Sequence, residues 1–328
     1  MLKIGLEITK NKEKFLLYKQ FILESIKSCK AVKIINVSSK KNLEKEIKNI
    51  DVLLTYTIKS SIFNNQINNL KWIQIGNAGV DDSLFDEVIN SNIIITNSRG
   101  INSIPVAEYV MATILYFSKN FSDCLNFKKV RKWSQWEIAK KNNVLKDQSI
   151  GIIGYGAIGK EIAKRAKAFN MKVFAIRRLQ KKKTSNSKVD ELLPINHLEY
   201  MIKKIQFLII SCPLTPLTRN LINKKKLNLM SENSYLINIS RGDIVNEKDL
   251  IEHLKKNKIK GAALDVFHNE PLKQNNDLFK LENVFLSPHI SGNFNGYHMA
   301  LIDSFTDNLN RYLDNKPLKN RVCKKRLY

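Results

Sequence analysis

Cysteine is scarce in this sequence, four residues in 328, at positions 29, 124, 212 and 323. They form no CxxC pair and no zinc-type spacing, which argues against a disulfide framework and a structural zinc site. No metal is expected, and a reduced, cytoplasmic setting fits thiols placed this way. Long apolar runs are missing too. None reaches the roughly 20 residues that cross a bilayer. The opening Met1-Leu-Lys-Ile-Gly-Leu-Glu-Ile8 is a short alternating segment with charges inside it, not a signal peptide. Acidic residues are few: 30 Asp and Glu stand against 55 Lys and Arg, for a net charge of +25. An excess of that size invites a nucleic-acid reading. The lysines, however, are spread along the whole chain among asparagines and isoleucines. No helix-turn-helix, zinc finger or aromatic RNA-binding signature goes with them. A compositional bias explains them better, with one consequence: a basic field speeds capture of an anionic substrate.

Apolar residues are plentiful. At 43% of the chain they argue against disorder, and the length exceeds what one core usually serves, so two domains are expected. Short apolar strands alternate with polar helical stretches at Lys3–Ile8, Val32–Val37, Asp51–Leu54, Trp72–Ile75 and Ile93–Thr96. Pro105, a residue favoured in a helix's first turn, opens a helix through Val106–Phe117 that reads as a crossing between domains. A second series follows at Ser149–Ile153, Met171–Ile176, Phe207–Ser211, Tyr235–Ile239, Gly261–Asp265 and Val284–Leu286. Such alternation predicts an α/β chain with open parallel sheets and helices on their faces. The expected division is one lobe from residues 1–100 and 293–328, joined by a helix over Tyr297–Leu313, and a second from 101–292.

The sharpest local pattern is Gly154-Tyr-Gly156-Ala-Ile-Gly159, which follows one strand, opens a helix over Lys160–Phe169 and leads to the next strand. In a β-turn-α-β unit these three glycines have separate tasks. Gly154 permits the tight turn, Gly156 lets the backbone approach a pyrophosphate, and Gly159 lets the helix pack close to the strand. The helix N-terminus then presents free N–H groups and a positive dipole end to the phosphates. Asn170, between helix and strand, tolerates the left-handed conformation best after glycine. An acidic residue about 20 positions on would hold the ribose hydroxyls of NAD. It is missing here. Arg177 and Arg178 stand in its place, and an arginine pairs with a 2′-phosphate that an aspartate would repel, so NADP(H) is expected over NAD(H).

Three polar residues follow strands near their carboxyl ends, where open α/β sheets bind ligands. Arg241 follows Asn238-Ile-Ser240, Glu270 follows Asp265-Val-Phe-His-Asn269, and His289 lies in Ser287-Pro-His-Ile-Ser-Gly292. Each alone has an ordinary explanation as a surface ion pair, a helix cap or a satisfied loop histidine. Together, beside a dinucleotide, they supply what reduction of a 2-keto acid needs. A guanidinium holds a carboxylate in a fixed geometry, an imidazolium gives a proton to the carbonyl oxygen, and a carboxylate favours the charged imidazole and orients it.

The runs Asn238–Glu247, Gly261–Leu272 and Ser287–Gly292 resemble the D-isomer-specific 2-hydroxyacid dehydrogenase family. So do Gly76-Asn-Ala-Gly-Val-Asp81, Pro105-Val-Ala-Glu108, the glycine motif and Cys212-Pro-Leu-Thr-Pro-Leu-Thr218. The resemblance implies a flavodoxin-like substrate lobe and a Rossmann dinucleotide lobe that close on each other and exclude water. It implies that Arg241 binds the substrate carboxylate and keto oxygen, that His289 is the general acid and that Glu270 pairs with it. Asp265 would contact the nicotinamide carboxamide. Gly154, Gly156, Ala157, Ile158, Gly159, Arg177, Arg178, Cys212, Pro213, Thr218, Ile239 and Gly292 would line the dinucleotide. Asn77, Ala78 and Gly79 would offer backbone N–H groups to the substrate. Trp133 and Trp136 fall in a segment that often forms the homodimer contact in such enzymes. The implied reaction is NADPH-linked reduction of a small 2-keto acid, with glyoxylate or hydroxypyruvate first. The alternatives are NAD-dependent 3-phosphoglycerate oxidation, or a dinucleotide-sensing binding protein that needs no acid.

Overall fold

The computed structural model describes residues 1–28, 30–63 and 69–327, so Cys29 lies outside the described residues. The chain divides into two compact units, Met1–Asn102 with Phe294–Tyr328, and Ser103–Asn293. The first holds a five-stranded sheet of β1 (Leu2–Glu7), β2 (Val32–Asn36), β3 (Val52–Thr55), β4 (Trp72–Ile75) and β5 (Ile94–Asn97). All neighbours are parallel and the order is β2-β1-β3-β4-β5. β3 and β4 are buried along their whole length, because parallel central strands are covered on both faces. Alternate residues feed two cores. Leu53 and Ile73 pack with Val37 and Ile95 on one face. Val52, Leu54 and Trp72 pack on the other with Phe305 and Leu309 of the helix Tyr297–Leu313. The Trp72 and Phe305 rings stack at 5.3 Å, which ties that late helix to the first unit.

The second unit carries eight strands: β6 (Ser149–Ile153), β7 (Lys172–Ile176), β8 (Thr184–Asn186), β9 (Val189–Leu193), β10 (Phe207–Ile210), β11 (Tyr235–Asn238), β12 (Gly261–Leu264) and β13 (Val284–Leu286). Their order is β13-β12-β11-β10-β6-β7-β9-β8, parallel except for the β8–β9 pair. Strands 6, 7 and 9 build outward from one side of β6 before the chain returns to place β10 on its other side. The carboxyl ends of β6 and β10 therefore flank a topological switch point, where sheets of this kind bind ligands.

Two helices fix the glycine turn over that point. Ser103–Ser118 buries Val106, Ala107, Val110 and Ile114 in one cluster with Ile162, Ala163 and Ala166 of the helix Ala157–Ala168. The expected crossing helix thus belongs wholly to the second unit. Pro105 is its third residue, where the missing N–H would have had no intrahelical partner. Asn170 adopts φ +57 just after Ala157–Ala168, as its residue type allows. By contrast, the helices Phe121–Val130 and Gln135–Ala139 bury none of their residues. Trp133 and Trp136 are 77% and 70% exposed, beside exposed Leu125 and Val130. Among the described residues no helix is long and apolar enough to cross a membrane.

Candidate active site

β6 ends at Ile153 and Gly154 turns the chain with φ +106. The N–H groups of Gly154 and Tyr155 both donate to the Ile176 carbonyl at 3.1 Å, so the end of β7 lies against the turn. A Cβ on Gly154 would sit 2.7 Å from the Cys212 nitrogen, and one on Gly159 would sit 2.3 Å from the Gly154 oxygen. Those two positions are glycine because the protein's own backbone leaves no room. Gly156 is different. A Cβ there would meet nothing within 4 Å, yet the residue is the N-cap of the helix and supplies no capping side chain. Open space in front of an uncapped N-terminus, whose first turn holds Ala157, Ile158 and Gly159, fits the pyrophosphate of a dinucleotide.

Arg177 and Arg178 follow β7 on the surface, and the Arg177 N–H donates to the Leu193 carbonyl at 3.0 Å. Burial pushes the Tyr155 phenol up, and the Arg177 charge opposes that push. Of the lysine run 181–183, Lys183 pairs with Glu191 at 2.8 Å. On the other side of the switch point, the Ser211 hydroxyl donates to the Gly154 carbonyl at 2.9 Å and the Ser240 hydroxyl donates to the Cys212 carbonyl. Backbone around Cys212 and buried Ile239 thereby forms the wall next to the turn. The Cys212 thiol is pushed up to about 12 by burial and stays protonated. Thr218 spends its hydroxyl on its own loop, donating to the Pro213 carbonyl at 2.7 Å and accepting from the Thr215 N–H at 2.8 Å.

The β11–β13 ends gather the charged side chains. After Arg241 the chain presses against the next loop so closely that a Cβ on Gly242 would lie 2.0 Å from the Phe267 carbonyl carbon. That approach brings the Arg241 segment against the loop that carries Glu270. The Arg241 Nη1 donates to the Ser240 carbonyl at 2.8 Å. One Glu270 oxygen accepts the Phe267 N–H at 3.0 Å, and the other meets His289 Nδ1 at 2.7 Å. The imidazole is about half exposed. With Nδ1 directed at the carboxylate, Nε2 is the nitrogen open to a reacting group. Asp265 is fully buried, and both its oxygens are used inside the protein. Oδ1 accepts the Ser287 hydroxyl and the Ile290 N–H, and Oδ2 accepts the Ser291 N–H. Gly292 ends that loop, half-buried.

The family model for the NAD binding domain of D-isomer specific 2-hydroxyacid dehydrogenases matches residues 111–291. The chain belongs to that family. Its members are NAD(P)-dependent oxidoreductases of small keto and hydroxy acids. The glyoxylate reductase of Pyrococcus horikoshii is 32% identical over 275 residues, 81% of each chain. The D-3-phosphoglycerate dehydrogenase of Methanocaldococcus jannaschii is 34% identical over 255 residues, 76% of this chain but only 47% of that longer one. Among solved structures, a D-isomer specific 2-hydroxyacid dehydrogenase family protein from Aeromonas salmonicida superposes with a TM-score of 0.84 at 25% identity, covering 98% of this chain and 99% of that one. An NADPH-dependent glyoxylate/hydroxypyruvate reductase from Sinorhizobium meliloti gives 0.85 over the whole of both chains at 22% identity, a likeness of fold.

Within this family member, Arg241, Glu270 and His289 share one unit with the glycine turn. Asn77, Ala78 and Gly79 belong to the other unit. There the loop is stitched by Asn97 Nδ2 to the Ala78 carbonyl at 2.7 Å and by Asn77 Nδ2 to the Tyr56 carbonyl at 3.1 Å. Sequence reasoning missed two contributors to the site. Gly242 stands inside a quoted motif but its backbone contact is invisible in one dimension. Tyr109, a helical residue that reaches Ser287, carries no signal beyond its place in an apolar stripe.

Proposed function

We propose that this protein reduces a small 2-keto acid to the D-2-hydroxy acid with NADPH, and that glyoxylate or hydroxypyruvate is its substrate. The observation that carries the reading is the His289–Glu270 pair at 2.7 Å, on the same sheet edge as Arg241 and in the same unit as the glycine turn. The bound dinucleotide supplies the hydride. This chain's residues do the rest. The Arg241 guanidinium holds the substrate carboxylate in a fixed plane. His289 Nε2 delivers a proton to the keto oxygen, and Glu270 orients the ring through Nδ1 and stabilises its charged form. A sensor that only binds dinucleotide has no use for this acid, which disfavours the non-catalytic alternative.

The preference for NADPH rests on Arg177 at the end of β7 and on the absence of any acidic residue from 177 to 189. The choice of a two- or three-carbon substrate is supported by the likeness to glyoxylate reductases over 81% of both chains. The 34% identical phosphoglycerate dehydrogenase keeps NAD-linked phosphoglycerate oxidation as the second reading. One assay separates them: oxidation of NADPH and of NADH across glyoxylate, hydroxypyruvate, pyruvate and bulkier keto acids, with 3-phosphoglycerate and NAD run in reverse. Higher kcat/KM with NADH, or turnover of phosphoglycerate alone, overturns the proposal.

We further propose a homodimer built on residues 121–139, whose two helices bury nothing and expose Trp133 and Trp136. Exposed aromatics in such number are costly unless covered. Replacing both tryptophans with serine should halve the mass seen in sedimentation, and an unchanged mass refutes the assignment. The free thiols of Cys124, Cys212 and Cys323 support the cytoplasm as the working compartment.

A further inference from the structure

His289 sits in the left-handed region, φ +55, which few residues other than glycine occupy. Besides a bond from its own N–H to the Ser287 carbonyl at 3.1 Å, the backbone supports converge on one residue. The N–H groups of His289, Ile290 and Ser291, three in succession, donate to Asp265: to its backbone carbonyl at 2.9 Å, to Oδ1 at 2.8 Å and to Oδ2 at 2.9 Å. Asp265 also accepts the Ser287 hydroxyl on Oδ1 at 2.5 Å. Ser287 is the donor in that bond, and its one hydroxyl proton is spent there. Its oxygen is then left as an acceptor, and it lies 2.5 Å from the Tyr109 hydroxyl. The direction of the whole chain follows: Tyr109 donates to Ser287, and Ser287 donates to Asp265.

Tyr109 belongs to the helix Ser103–Ser118, far in sequence from the loop it reaches. Its ring is held against Phe285 of β13 at 6.4 Å between centroids. Burial pushes its phenol up to about 12, a push that Asp265 adds to and the bond with Ser287 opposes, so the hydroxyl keeps its proton throughout the working range. A part-buried donor of this kind polarises the next hydroxyl in line and strengthens that hydroxyl's own donation. The imidazole is thus fixed at two points: the ring by Glu270, the backbone by Asp265 and what stands behind it.

We propose that Tyr109 is a positioning residue for proton transfer, acting through Ser287 and Asp265 to hold His289 at its reacting distance. The inference rests on His289 being the acid. It adds a part that the Arg241, Glu270 and His289 set does not contain. Misplacement of a reacting group by about 1 Å costs on the order of 100-fold in rate, and loss of one outer support should cost less. Tyr109→Phe keeps the ring and removes only the donor. It should lower kcat about tenfold while KM for the keto acid and for the dinucleotide stays within about twofold.

The test is a cycle of Y109F, S287A and the double variant, with H289Q alongside and the thermal midpoint recorded for each. A linear relay predicts that the double variant is no slower than S287A alone, because both changes break one chain. Supporting results are a kcat loss in Y109F at unchanged KM, non-additivity in the cycle, and an unchanged midpoint. Two results overturn the inference while leaving the acid assignment intact: H289Q inactive with Y109F at wild-type kcat, or multiplicative losses in the cycle. A loss in Y109F that tracks a lowered midpoint also overturns it, by reducing Tyr109 to a packing residue. An active H289Q enzyme overturns the acid assignment, and this inference with it.

Discussion

The two sides of the second sheet are built for their tasks in opposite ways. On the β6–β7 side the proposed recognition falls to the backbone: Gly154 turns it, Gly159 lets the helix close in, and a Cβ on Gly156 would meet no protein atom within 4 Å. On the β11–β13 side the backbone is a platform, and the proposed chemistry passes to the side chains of Arg241, Glu270 and His289. What the contrast teaches is where specificity can be altered. A backbone site is nearly blind to side-chain changes except at its glycines, whereas a side-chain site fails at any one member. Arg177 stands apart, as a side chain placed at the rim of a backbone site, and is the residue proposed to set the choice of dinucleotide.

The largest expected effect comes from breaking the side-chain half alone. His289→Gln should lower kcat about 10³-fold, within the 10²–10⁴ range of a lost general acid, and leave dinucleotide affinity unchanged. Fluorescence titration with NADPH beside a rate measurement checks both arms. A variant that binds dinucleotide poorly would show the two halves to be one. Next in size is the rim. Arg177→Asp should move the ratio of kcat/KM for NADPH over NADH toward NADH by about 10- to 100-fold, since a favourable ion pair becomes a repulsion. A ratio that stays within twofold would remove Arg177 from dinucleotide choice.

The same contrast explains what could be read from sequence. Glycine is informative because it marks places where the chain needs a missing side chain, so the turn at 154–159 was legible, as was the strand-helix alternation around it. The helix Tyr297–Leu313 was legible to the residue through its apolar spacing. β8 and β9 were not. They follow the polar run Arg177–Lys183, β8 is a fully exposed three-residue edge strand with no buried face to impose a pattern, and β9 buries Val189, Leu192 and Leu193 over too short a stretch to alternate. For Asp265 and Thr218, named from the resemblance as dinucleotide contacts, sequence did not show the bonds that hold them: the first accepts from the 287–291 loop on both oxygens and the second closes its own loop. Hydrogen-bond partners distant in sequence leave no one-dimensional trace. Tyr109 and Ser287, 178 residues apart, are the plainest case.

The glycines of the backbone half give a smaller and more discriminating test. Gly156→Ala adds a Cβ into space that the protein leaves open, so the thermal midpoint should hold while dinucleotide affinity falls about tenfold. Gly159→Ala puts the same atom 2.3 Å from the Gly154 oxygen and should lower the midpoint first. Equal behaviour of the two variants in a paired melt and titration would sink the distinction between glycines kept for a ligand and glycines kept for packing.

The smallest expected effect concerns how the backbone half is held up. Asp190 on β9 accepts Lys167 Nζ at 2.7 Å and the Val173 N–H at 2.6 Å, and so ties the helix behind the glycine turn to β7. Partial burial pushes its carboxyl up, but the bonds from Lys167 and Val173 outweigh that push and the net shift is down. A carboxylate lowered by folding stabilises the native state above its unfolded value, near 3.9, and the benefit is lost as pH falls through the lower native value. Because the pair is partly solvated, the stake is modest. Asp190→Asn should lower the midpoint by about 2 °C at pH 7, and the gap between variant and parent should narrow as pH falls below the unfolded value. A gap that does not narrow with acid would show that Asp190 works through shape and not through its charge.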